Sequence, residues 1–138
     1  MAIHCKVIIC GGTRVGKTSL INAMMNIKSN TYDPTLGVII HNIYHIGKKG
    51  IIIFDIIDTQ DTELSVLDSE IFADANIILH ISRDNIKYMY ITEILNISKK
   101  FRIPLITIDL THKECEIINL GQNILKVLYD IIIPDSKL

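Results

Sequence analysis

The sequence predicts an α/β fold: a mainly parallel sheet with one antiparallel edge hairpin and helices on both faces. Three observations point there. Short β-branched apolar runs alternate with stretches at helical spacing. Apolar residues make up 49% of the 138, with isoleucine used heavily, as strands buried on both faces require. The first run, Ile3–Cys10, leads into a glycine-rich loop and then a helical pattern.

That loop organises the chain. Residues 11–19 read GGTRVGKTS, which is the G-x-x-x-x-G-K-S/T spacing of a phosphate-binding loop. Glycines let successive backbone N–H groups curl toward an anion. Lys17 can reach the β and γ phosphates, and the Thr18 hydroxyl can ligate Mg²⁺. A helix starting near Lys17 adds the positive end of its dipole. Leu20, Ile21, Met24 and Met25 give that helix one apolar face.

The remaining elements follow in order. The first helix should fade near residues 26–30, and residues 28–37 (KSNTYDPTLG) read as a polar loop. Residues 38–46 and 51–57 flank a tight turn, Gly47-Lys48-Lys49-Gly50, and so form an antiparallel hairpin. A short helix is expected around residues 64–72, then a buried strand over 76–82. Tyr88, Ile91, Ile94 and Leu95 predict a helix over 86–100. Residues 104–109 make a last strand. Ile117, Leu120, Ile124, Leu128 and Ile131 predict a closing helix, ended by Pro134. The chain reads as a single domain over 1–138, with no repeat or linker. On such sheets ligands sit at the carboxyl ends of the strands, where the loop at 11–18 falls.

Composition narrows the function. A formal net charge of −1 argues against a broad grip on nucleic acid. No apolar run approaches a membrane span, since Asp55 interrupts residues 51–57. Cys5, Cys10 and Cys115 are odd in number and lack metal spacing, which suits reduced thiols in a cytosolic protein.

Further along, residues 32–38 read YDPTLGV and residues 58–63 read DTQDTE. With the loop at 11–18, they resemble a small GTPase of the Ras superfamily, closest in pattern to Ran and Rab. The likeness implies a P-loop NTPase fold of G-domain type, a GTP/GDP ligand with Mg²⁺, and a switch that changes shape with the nucleotide. It places Gly11, Thr13, Arg14, Val15, Gly16, Lys17, Thr18, Ser19 and Thr35 on the nucleotide. It makes Thr18, Thr35 and Asp58 the metal ligands. Effector or regulator proteins are expected at residues 32–38 and 58–70.

Departures qualify the activity. Where the family has Asp-Thr-Ala-Gly-Gln-Glu, Asp61 replaces the glycine whose N–H meets the γ-phosphate. Its carboxylate opposes a triphosphate. Thr62 replaces the glutamine that orients the attacking water, and Gln60 lies two positions early. No catalytic residue is therefore assigned, and hydrolysis is expected to be slow or absent. Arg14 stands where most such loops carry a small residue; a solvent-facing arginine is favoured over an internal arginine finger.

The base-reading end is eroded. The family's Asn-Lys-x-Asp has only Thr111-His112-Lys113-Glu114 or Asp109 to match it, and the solvated reading of both carboxylates is favoured. The chain also lacks about one strand–helix unit of that family, and the resemblance covers roughly residues 3–109. Two other readings stand beside it. One is a pseudo-GTPase interaction module without nucleotide cycling. The other is an Era-like or different P-loop NTPase, since VGKTSLINAMM resembles those loops; the YDPTLGV segment and the hairpin weigh against it.

The absence of a cysteine near the C-terminus leaves no prenylation site, so no membrane anchor is expected. A cytoplasmic location follows, or a nuclear one for the Ran branch. Ser136-Lys137-Leu138 matches a peroxisomal address, but it follows an acidic Asp135 and is given less weight.

Overall fold

A computed structural model of the protein describes residues 3–11, 17–24, 28–33, 38–59, 70–82, 91–110 and 114–133. Ten elements follow one another: β1 (Ile3–Gly11), α1 (Lys17–Met24), β2 (Lys28–Asp33), β3 (Val38–Gly47), β4 (Gly50–Asp58), α2 (Glu70–Ala73), β5 (Ile77–Ser82), α3 (Ile91–Phe101), β6 (Leu105–Asp109) and α4 (Glu114–Ile132). The strands form one six-stranded sheet in the order β2-β3-β4-β1-β5-β6. β4, β1, β5 and β6 run parallel. The β2–β3 and β3–β4 pairs are antiparallel.

The central strand β1 shows why the apolar runs are nearly continuous. Its side chains alternate between two faces. Cys5, Val7 and Ile9 join Leu20, Ile21 and Met24 of α1 and Leu125 and Leu128 of α4 in one core. Ile8 and Cys10 face the other way, onto Ile71, Phe72 and Ile94 of α2 and α3. Both faces are covered, so no polar alternation survives.

The antiparallel edge is wider than the expected hairpin. Residues 28–33, expected as part of a loop, form a strand paired with β3 from Lys28↔Ile43 to Asp33↔Val38. A strand at the rim of a sheet needs one neighbour for its backbone, so the polar stretch KSNTYD can adopt it without apolar side chains. The turn closes on the Gly47↔Gly50 pair, and Gly50 has φ +124°, a conformation that suits only glycine.

Two helical stripes keep most of their expected positions, and each has one residue outside the packed face. In α3, Ile94 is buried and Ile91, Ile97 and Phe101 pack beside it, while Leu95 is exposed. In α4 the buried face runs through Ile124, Leu125, Leu128 and Tyr129, while Ile131 is exposed. Of the short helix expected over 64–72, only Glu70–Ala73 falls within the described residues. α3 ends in a left-handed cap. Arg102 has φ 55°, Ile103 N donates to Ser98 O at 2.9 Å, and Arg102 N donates to Lys99 O at 3.4 Å.

Candidate functional site

Four parallel strands end at the same rim of the sheet. There stand Gly11 of β1, Asp58 of β4, Ser82 of β5 and Asp109 of β6. This is where a ligand meets an open α/β sheet. β1 and β4 are neighbours in the register Ile9↔Asp58. Thr59, the next residue, ties the two ends together: its Oγ1 donates to Ile9 O at 3.1 Å, and its backbone N–H donates to the same oxygen at 3.4 Å.

α1 starts at Lys17, a short way past the end of β1. Its N-terminus brings the positive end of the helix dipole to this rim. Lys17 is only 6% exposed, and its Nζ donates to Gly11 O at 3.4 Å. Asp58 is equally buried, at 6%. An ammonium and a carboxylate are costly to bury, and folds keep them inside where they serve an ion or a partner. Here both are held at adjoining strand ends. The donor chemistry fits the expected ligands: Lys17 with the α1 N-terminus suits a phosphate anion, and the Asp58 carboxylate suits a hard divalent cation. Lys17 and Asp58 would thus hold the phosphates and the metal.

The other expected site residues divide as follows. Gly11 is buried at the end of β1. Ser19 is exposed on α1. Thr18 lies in the first turn of α1, its side chain outside the described part. Thr13, Arg14, Val15, Gly16 and Thr35 lie outside the described residues, as do Gln60, Asp61 and Thr62. Lys113 also lies outside them, and of Glu114 only the backbone, at the start of α4, is described.

Asp109 is exposed and accepts a hydrogen bond from Ser82 Oγ at 3.2 Å. Leu110 N donates to Ser82 O at 2.7 Å beside it, so the β5 and β6 ends are fastened as β1 and β4 are. The anchoring roles of Thr59 and Ser82 were not legible in the sequence. A hydroxyl just beyond an apolar run was the available signal, but its partner is set by strand order.

Burial makes the nearby thiols inert. The Cys10 thiol, bonded to Leu79 O at 3.6 Å, is pushed up to about 12 by burial, which outweighs the pull of Lys17. Cys5 is pushed up to about 11, by burial first and by Asp55 second. Among the described residues no three His, Cys, Asp or Glu side chains gather to hold a metal by themselves. No described helix is long and apolar enough to cross a membrane.

Residues 6–127 match the family model described as 50S ribosome-binding GTPase. The chain belongs to that GTPase family. No similar sequence was found among curated proteins. Among solved structures, the GTPase chain is similar to the G domain of the T. maritima FeoB iron transporter. The identity is 18% and the TM-score 0.53, over 89% of this chain and 99% of that one. The fold is thus that of a P-loop GTPase G domain, mostly parallel and shortened. The family match supports the broad expectation of a P-loop GTPase; it does not single out Ran or Rab.

Proposed function

We propose that this GTPase-family chain is a guanine-nucleotide switch that binds GTP or GDP together with Mg²⁺. The observation that carries the reading is the buried Lys17 at the start of α1, bonded to Gly11 O, with buried Asp58 at the adjoining strand end. Thr18 and Thr35 complete the metal ligands by sequence pattern, and Thr13, Arg14, Val15, Gly16 and Ser19 the nucleotide contacts. Residues 32–38 and 58–70 present the bound state to effector or regulator proteins. The YDPTLGV segment supports a Ran- or Rab-like manner of switching.

Turnover is slow in this proposal. Intact Ras-type sites hydrolyse alone on the order of 10⁻⁴ s⁻¹, and a water-orienting glutamine is part of that machinery. Thr62 stands in its place and Asp61 brings a negative charge. The family name speaks of 50S ribosome binding. With a formal charge of −1, this chain is better suited to nucleotide switching than to extended contact with RNA. A cytoplasmic location fits the same picture.

A second reading, an interaction module without nucleotide cycling, draws on Asp61, Thr62 and the lack of a clear base-reading motif. Release of bound nucleotide from the purified protein by acid, followed by chromatography, separates the two. GTP or GDP supports the switch. An empty protein that also takes up no added guanine nucleotide supports the module, and ATP removes the guanine assignment from both.

A further inference from the structure

β6 is the last strand of the sheet, and among the described residues nothing pairs with its outer edge. Its inner edge is defined by two bonds: Ile78 N donates to Pro104 O at 2.9 Å, and Leu110 N donates to Ser82 O at 2.7 Å. In a parallel ladder every second residue turns both its N–H and its C=O toward the neighbour. Residues 104, 106, 108 and 110 therefore serve β5. Leu105, Thr107 and Asp109 point their N–H and C=O outward.

Above this edge lies an apolar groove of about 230 Å³ between β6 and α4, lined by Ile106, Ile108, Leu120, Ile124 and Val127. Val127 is 55% exposed. Ile131, one helical turn further along the same flank, is 50% exposed. Natural sheets blunt their open edges with lysine, proline or bulges. The opposite edge, β2, carries Lys28 and Asp33. β6 carries no charge from Leu105 to Ile108.

We propose that β6 pairs antiparallel with the β6 of a second copy, forming a two-fold dimer with one continuous sheet. The backbone pattern specifies the register. With the axis through Thr107, Thr107 faces Thr107, and Leu105 faces Asp109 of the second copy. Each of these pairs joins outward N–H and C=O groups on both sides and so exchanges two hydrogen bonds. The intervening positions set Ile106 against Ile108 of the second copy at the closer, non-hydrogen-bonded spacing of about 4.5 Å.

An axis normal to the sheet keeps both α4 helices on one face. The two grooves then merge, and Val127 and Ile131 are covered from both sides. The charges complement each other: Lys99, Lys100 and Arg102 stand just before β6 and Asp109 at its end. Antiparallel pairing brings the basic end of one strand toward the acidic end of the other. A second copy supplies the matching edge, the matching groove and the opposite charge order together.

The test is sedimentation equilibrium of the wild-type chain, Thr107→Lys and Val127→Glu, with amide hydrogen exchange on the wild type. Both substitutions lie on exposed positions, so the fold survives them. Thr107→Lys puts like charges across the axis, and Val127→Glu puts them in the shared groove. Wild type should sediment at twice its 15.6 kDa mass. Each variant should weaken the dimer by about tenfold or more while keeping its circular dichroism. In wild type the amides of Leu105, Thr107 and Asp109 should gain protection as concentration rises. A wild-type monomer at all concentrations, a dimer indifferent to both substitutions, or edge amides whose exchange ignores concentration would each overturn the proposal.

Discussion

Gly47 lies directly against the ring of Tyr129. A Cβ placed on Gly47 would stand 2.3 Å from Tyr129 Cζ and 2.7 Å from its hydroxyl oxygen. That closeness lets the hydroxyl serve the hairpin turn: Lys49 N donates to it at 2.8 Å, and it donates to Gly50 O at 3.2 Å. His45 packs on the same ring with centroids 5.3 Å apart. One residue of α4 thus fastens the β3–β4 turn to the helical layer.

Gly47→Ala should therefore destabilise the protein by about 1–3 kcal/mol, because the ring must leave its place. Tyr129→Phe keeps the ring and loses both hydrogen bonds, at about 1–2 kcal/mol. Urea denaturation reads both. An unchanged midpoint for Gly47→Ala would mean that the ring does not sit on this glycine in solution.

Gly121 makes the same kind of close approach between helices. Glycine inside a helix normally gains about 1 kcal/mol on replacement by alanine. Here a Cβ would come 2.9 Å from the Ala23 carbonyl carbon and 3.0 Å from Met24 N, both backbone atoms of α1. Gln122 Nε2 also donates to Ala23 O at 2.9 Å, which fixes the approach. Gly121→Ala should lower the melting temperature instead of raising it, by an overpacking cost of about 1–3 kcal/mol. A raised melting temperature would show that α1 and α4 stand further apart. Because α1 begins with Lys17, the same substitution should disturb nucleotide affinity.

The architecture was legible where side chains decide it. The β-branched runs at 3–10, 51–57 and 76–82 are buried on both faces, and burial is what such composition reports. β2 was illegible for the opposite reason: KSNTYD has no apolar periodicity, and its strand state comes from the ladder with β3. Leu95 and Ile131 share the helical stripes yet are exposed, because periodicity gives a helix its period but leaves the width of its covered stripe to the neighbours. At the site, the loop spacing singled out Lys17 and the family resemblance singled out Asp58, and both are buried at the strand-end rim. The clamp from Thr59 to Ile9 joins residues 50 positions apart, and only the order of strands brings them together.

Two histidines give stability a pH slope. Burial lowers His45 below its ordinary 6.5, against the opposing pull of Asp130, and burial lowers His80 as well. The folded state thus binds fewer protons than the unfolded chain once pH falls below about 6.5. Stability is full above that value and declines as pH drops through the folded-state values. Urea midpoints should fall between about pH 7.5 and about pH 5.5, and His45→Phe should flatten part of that decline. A slope unchanged in both His45→Phe and His80→Asn would assign the dependence to other groups.

Lys17 is the side chain whose loss a bound nucleotide should feel most. Its ammonium is buried at the start of α1, where it holds Gly11 O. If the rim binds a nucleotide's phosphates, this is the cation inside the cradle. Charge-assisted hydrogen bonds to such a group contribute about 1.5–3 kcal/mol each, and an ammonium can donate more than one. Lys17→Ala should therefore weaken GTP and GDP binding by about a hundredfold or more in titration calorimetry. The fold should persist, because the sheet and both apolar clusters are built without Lys17. Lys17→Arg should not rescue binding: its planar fork needs more room than a point charge does at this buried position. Calorimetry that finds Lys17→Ala folded and binding as tightly as wild type would mean that the buried ammonium serves the loop alone and that the nucleotide is held elsewhere.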